Sequence, residues 1–182
     1  MMRFRLPRRL HGLLDDVKGV AAVEFALILP IVLMLFLGGM ELSNAAATHR
    51  KLTDTTIELA NVVSQYTTMA PPDVSSVFNA SAQIMAPYPT SQLSIVLSEV
   101  TTNSSNVPRV TWSQAYNGAT PLAVGATVTM PSGLPQPSTS YMLVQTTYAY
   151  SPTFGSGYVS AIPMSDSIYI LPRQSATITY TG

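Results

Sequence analysis

Glu24 stands five residues after Gly19 and immediately before Phe25–Met40, a run of sixteen residues without a charge. Counted from Val20 to Met40 the apolar segment is 21 residues long, close to the ~20 that an α-helix needs to cross the hydrocarbon core of a bilayer. A carboxylate inside such a segment costs roughly 2.5 to 3.5 kcal/mol at the helix centre and less near an end, so an ionisable residue there is read first as functional. The chemistry open to a lone carboxylate in an apolar medium is to meet a cation. Other reactive groups are sparse. The chain holds two histidines, His11 and His49, and no cysteine, so neither a zinc site nor a Ser-His-Asp arrangement can be assembled from the C-terminal part. Asp54 and Glu58 lie four apart, but Arg50 precedes Asp54 by four, the spacing of an ordinary surface ion pair on a helix. Asp73, Glu99 and Asp166 are scattered without metal-ligand spacing. No enzyme, metal or cofactor is expected.

The elements that must position Glu24 follow from hydropathy and charge. Nine basic and nine acidic residues cancel over the 182-residue chain, yet Arg3, Arg5, Arg8, Arg9 and Lys18 precede the apolar segment against only Asp15 and Asp16. By the positive-inside rule that flank places Met1 in the cytoplasm and Gly182 outside. Beyond Leu59 only Asp73, Glu99, Arg109, Asp166 and Arg173 are charged, which leaves no basic patch for nucleic acid. The residues alone admit three readings of the span. It is an uncleaved signal anchor with Glu24 snorkelling to the headgroups, or a secretory signal cut near Ala45, Ala46 and Ala47, or a span whose carboxylate has a task. The long basic lead and the internal carboxylate speak against the cleaved signal.

A basic leader ending in Gly19, an apolar stretch from Val20 and a glutamate at the fifth position resemble the class III signal of type IV pilin-like proteins. More narrowly, "GVAAVEFALILPIVLMLFLGGMEL", Gly19 to Leu42, resembles the N-terminus of TadE-like pseudopilins, the minor pilins of the tight-adherence (Flp) pilus system. Gly19, the "AAVEFAL" run, Pro30 and Glu41 carry the match. Weaker echoes are "YAYSP" at Tyr148 to Pro152 and "LPR" at Leu171 to Arg173. The resemblance implies that a prepilin peptidase on the cytoplasmic side cuts between Gly19 and Val20. It also implies that Glu24 pairs with the new α-amino group during docking, and a carboxylate beside a cation is far easier to bury than one alone.

After the span, "RKLTDTTIELANVVSQY" puts Leu52, Leu59, Val63 and Tyr66 at steps of seven, four and three, an amphipathic helix face. If continuous with the span, Val20 to Tyr66 forms a rod of about 70 Å, with Pro30, Gly38 and Gly39 as bend points. Pro71 and Pro72 are expected to stop this spine. A short helix then starts with Asp73 as N-cap, buries Val74, Val77, Phe78, Ile84 and Met85 on one face, and ends at Pro87. Period-two runs follow: Leu93, Ile95 and Leu97; Val110 and Trp112; Met142, Val144, Tyr148 and Tyr150; and Ser167 to Leu171, a run that could continue past Pro172 as far as Tyr180. They predict an antiparallel sheet of about four strands. The connection from Asn117 to Pro137, rich in glycine and proline, is expected to be the mobile or partner-facing loop, and "FGSGY" a turn.

The chain is thus expected to be α+β and pilin-like, a long N-terminal transmembrane and spine helix packed against a small antiparallel head. Its parts are a basic leader over 1–19, a transmembrane segment over 20–41, the outer half of the spine over 42–70 and an extracytoplasmic head over 71–182. The expected function is that of a minor pilin in Flp/Tad pilus assembly, supporting adhesion, biofilm formation or secretion, with Gly19 and Val20 for processing and Glu24 for docking. Its partners are the prepilin peptidase, other pilins, the assembly platform of the bacterial inner membrane and the lipid bilayer. The competing expectation is an uncleaved, membrane-anchored extracytoplasmic binding domain.

Overall fold

The computed structural model describes residues 17–154 and 160–182. Residues 1–16 of the expected leader and the greater part of the FGSGY turn lie outside the described residues. Contacts divide the chain into two units, between Ser43 and Asn44.

Helix α1, Val17–Val63, passes through Pro30, Gly38 and Gly39 as one uninterrupted α-helix, so the expected bend points do not break it. Within the second unit the buried stripe of α1 is Thr48, Leu52, Thr55, Thr56, Leu59, Ala60 and Val63, the three- and four-residue spacing of one helix face. Three threonines belong to that stripe because each hydroxyl donates to the carbonyl four residues back: Thr48 to Asn44, Thr55 to Lys51 and Thr56 to Leu52. Their methyls then pack as apolar groups. α1 ends at Val63, three residues before Tyr66, through a tightened turn in which the Gln65 and Tyr66 amides donate to the Val62 and Val63 carbonyls.

Strand β1, Thr68–Met69, leads into helix α2, Pro71–Ile84. Here the sequence expectation needs correction. The two prolines do not stop the spine; they open α2, where a missing N–H loses nothing. Asp73 is not the N-cap but the third helical residue, and its carboxylate accepts the Ala70 N–H at 2.9 Å. The last helical residue is Ile84, with Met85 as C-cap, and Val74, Val77 and Phe78 point inward as expected.

The sheet comprises β2 (Leu93–Thr102), β3 (Pro108–Tyr116), β4 (Ser140–Tyr150) and β5 (Ile162–Ile170), all antiparallel, in the order β3-β2-β4-β5. One face carries Leu93, Ile95, Leu97, Trp112, Met142, Val144, Tyr148 and Tyr150, which join Leu52, Leu59 and Val63 of α1 and Val74, Val77 and Phe78 of α2 in one apolar core. A polar contact joins α1 to the sheet across it, Thr56 Oγ1 to Thr146 Oγ1 at 2.6 Å.

The fourth strand begins five residues earlier than expected and stops before Pro172. As an edge strand it accommodates Pro163, whose missing donor can face outward. Thr179–Tyr180 is a separate strand, β6, paired parallel to β1. The connection between β3 and β4 lies over the opposite face of the sheet and is tied to it. Along the free edge of β3 the Val110 amide donates to the Ala126 carbonyl and the Gly125 amide to the Val110 carbonyl; over the face the Leu122 amide donates to Ser113 Oγ at 2.9 Å, and Tyr141 Oη donates to the Leu134 carbonyl at 2.8 Å. Beneath this cover Val100, Val110, Tyr141 and Leu143 are buried. The loop therefore supplies a second small core, in contrast to the free loop that its glycines suggest. Gly118, Gly125 and Gly133 have φ of +77°, +81° and +85°, turns that any side chain would strain.

Candidate functional site

Gly19, Val20 and Glu24 all lie on α1, in its first two turns. Each residue advances about 100° around the axis, so Val20 and Glu24 are one turn apart and about 40° out of line, on one face. Because Cα–Cβ bonds tilt towards the N-terminus of a helix, the Glu24 side chain leans towards the turn that holds Val20. Gly19 falls on another part of the circumference. Among the described residues an added Cβ on Gly19 meets nothing within 4 Å, and Gly19, Val20 and Glu24 are exposed. Packing against the described residues therefore does not require the glycine.

Beyond Glu24 the surface of the helix is apolar as far as Met40. Phe25, Leu27, Ile31, Met34, Leu35 and Phe36 are each more than half exposed, and the segment is long and apolar enough to cross a membrane. A helix that is hydrophobic all round is one meant to be surrounded, by lipid or by other protein. His49, Arg50, Asp54 and Glu58 sit exposed on the outer part of α1, and His11 is outside the described residues. Among the described residues, no three acids, histidines or cysteines gather as a metal would need.

The sheet unit holds one ionisable group that sequence reading passed over. Glu99 is 2 % exposed and continues the inward row Leu93, Ile95, Leu97 on β2. That period-two register was the available signal. Its Oε1 accepts two bonds, from Ser140 Oγ at 2.7 Å and from the Ile178 amide at 2.9 Å. Trp112 Nε1 donates to the Ile178 carbonyl at 2.6 Å, so both polar groups of one buried residue near the C-terminus are held by side chains of β2 and β3. Arg173, in the segment that returns to them, caps α1: its amide donates to the Ser64 carbonyl at 2.8 Å and its guanidinium to Asn61 Oδ1 at 3.0 Å, where a cation favours the negative end of the helix.

Residues 19–61 match the family described as TadE-like protein. The match begins at Gly19, takes in Val20 and Glu24, and ends two residues before the end of α1; α2, all the strands and the "YAYSP" and "LPR" echoes lie beyond it. Comparisons with curated proteins and with solved structures give no match.

Proposed function

We propose, taking the segment 19–61 as that of a TadE-like protein, that this chain is a minor pilin or pseudopilin of a Tad pilus system. It is made as a precursor with its N-terminus in the cytoplasm and its sheet unit outside the bacterial inner membrane. A prepilin peptidase then cuts it between Gly19 and Val20, and the mature chain enters pilus assembly at the inner-membrane platform.

The observation that carries this reading is the placement of Glu24 one helical turn beyond Val20 and on the same face. Cleavage creates an ammonium at Val20 N. The carboxylate leans towards that end, and the partial positive charge of a helix N-terminus adds to the attraction. Whether the amine is its own or a neighbouring subunit's, the pair can be taken into an apolar environment more readily than either charge alone. Gly19 serves the peptidase rather than the fold, which agrees with its open surroundings. Val20–Met40 then has two successive environments, the bilayer before assembly and the surrounding subunits afterwards.

The deciding experiment is the N-terminal residue of the protein taken from native membranes. Val20 is the expected result. Met1 would make the chain an uncleaved anchor and remove the case for Glu24, and Thr48 would make the whole apolar segment a discarded signal. Gly19→Arg should leave precursor in the membrane; normal maturation of that variant would sink the processing claim.

A further inference from the structure

The strongest feature that the pilus reading does not use is the buried carboxylate of Glu99 and the cavity beside it. The cavity measures about 270 Å³ and is lined by Glu99, Thr101, Thr111, Trp112, Thr177, Thr179 and Tyr180. A β-bulge between Glu99 and Val100 shapes it. Glu99 opposes Trp112 and Val100 opposes Val110, so Thr111 is the extra residue, and its Oγ1 lies 3.0 Å from Thr101 Oγ1 at the mouth. Bulges re-aim side chains in this way. The Trp112 and Tyr180 rings stack with centroids 5.5 Å apart and form an aromatic wall.

We propose that this cavity is a binding site for a primary ammonium on an alkyl stem, the chemistry of a lysine side chain presented by a partner protein. Three observations converge on that class. First, Glu99 is almost fully withdrawn from water, and its contacts, Ser140 Oγ and the Ile178 amide, are neutral donors. Among the described residues no cationic side chain lines the cavity, so there the desolvation of the carboxylate is unmatched by an opposite charge. Second, both of those bonds fall on Oε1, which leaves Oε2 as the one oxygen for a newcomer. A guanidinium is best matched by both oxygens of a carboxylate, whereas an ammonium binds as a point charge. A metal ion would ask for several charged or carbonyl oxygens, and the rest of the lining offers hydroxyls and rings. Third, the hydroxyls of Thr101, Thr111, Thr177 and Thr179 can accept the remaining N–H bonds of an ammonium, while the stacked pair of Trp112 and Tyr180 offers apolar area to its methylenes and, on the side of the pair turned away from the stack, a π-face for its charge.

Trp112 is the only tryptophan in the chain, so its fluorescence reports on this cavity alone. The test uses the full chain in micelles of a non-ionic, non-glycosidic detergent, titrated with Nα-acetyl-lysine N-methylamide. Saturable change in Trp112 emission is expected, with a dissociation constant on the order of millimolar, as suits one ion pair and one cation–π contact. The uncharged norleucine analogue should give no saturable change. Glu99→Gln keeps an acceptor for Ser140 and Ile178 but removes the charge, and it should weaken lysine binding by about tenfold or more with its melting midpoint close to that of the parent. Should that variant not fold, Thr111→Leu, at an exposed position on the mouth, decides instead: its binding should weaken with no change in melting.

The proposal is overturned if no saturable change is seen, if the norleucine analogue acts equally, or if Glu99→Gln or Thr111→Leu binds as the parent does. Glu99 is then only the bracket that holds Ile178. A response to a monosaccharide and none to the lysine derivative would overturn it too. An equal response to valine N-methylamide would reject the side chain in favour of a protein α-amino group as the source of the ammonium.

Discussion

Val20–Met40 and Thr48–Val63 are stretches of one α-helix, and they solve the problem of apolar surface in opposite ways. In the first, Leu35 and Met34 are 73 % and 72 % exposed and the hydrophobic residues run all round. In the second, Leu52, Leu59 and Val63 are fully buried along one stripe, while Arg50, Asp54 and Glu58 occupy the rest of the circumference. A stripe can be satisfied by a single sheet from the same chain. An apolar cylinder cannot, because each sheet or helix covers only part of its circumference; it requires an environment on all sides. The two units also differ in how they treat a carboxylate. Glu24 is exposed on an apolar cylinder, whereas Glu99, in the sheet unit, is enclosed with two donors already in place.

The sharpest way to break this comparison is Glu24→Ala. If the inner stretch exists for partners, the variant should mature normally and keep the unfolding midpoint of the sheet unit, yet lose most pilus assembly, scored by shed pilus material or surface fibres. Normal piliation would remove the docking role. Next in size is a matched pair of truncations. Leu59→Ala should destabilise the sheet unit by about 2–5 kcal/mol in denaturant unfolding. Leu35→Ala should change it by less than about 0.5 kcal/mol, and equal effects would mean that the inner stretch packs on its own chain. Thr56→Val tests the polar contact across the core. It leaves Thr146 without its partner across the interface, and a loss of about 1 kcal/mol is expected.

The smallest effect is confined to alkaline solution. Burial pushes the Tyr148 phenol above its usual range, and Tyr88 nearby adds to the shift. The folded state therefore holds this proton more tightly than the unfolded chain does. Its contribution to stability is complete below pH of about 10 and is lost as pH rises from there through the raised folded value. Tyr148→Phe should accordingly lose less stability than the parent above that pH and match it near neutrality, as measured by urea unfolding across a pH series.

Much of this architecture is local and was legible before folding. The all-round apolar run, the stripe of Leu52, Leu59 and Val63, and the alternation in β2 and β4 each follow from periods of 3.6 or 2.0 that neighbouring residues state among themselves. Where reading failed, a competing rule of similar strength was present. Pro71 and Pro72 stop a helix in one context and start one in another, and Asp73 is acceptable both at the cap and three residues inside it. The start of β5 at Ile162 was hidden by Pro163, which is excluded from central strands yet permitted at an edge; no sequence pattern says which strand will be the edge.

The sequence by itself determined the class of the molecule and where its candidate carboxylate stands on the helix: a membrane-length apolar segment, Glu24 one turn from Val20, and an α+β remainder. Tertiary structure alone decided what distant residues do to one another. It brought Ile178 to Glu99 across 79 positions and to Trp112 across 66, laid the β3–β4 connection over the sheet, and made β6 the partner of β1. The physical reason is that hydropathy and helix geometry act between near neighbours along the chain, whereas a hydrogen bond between remote groups exists only after the backbone between them has been given its path.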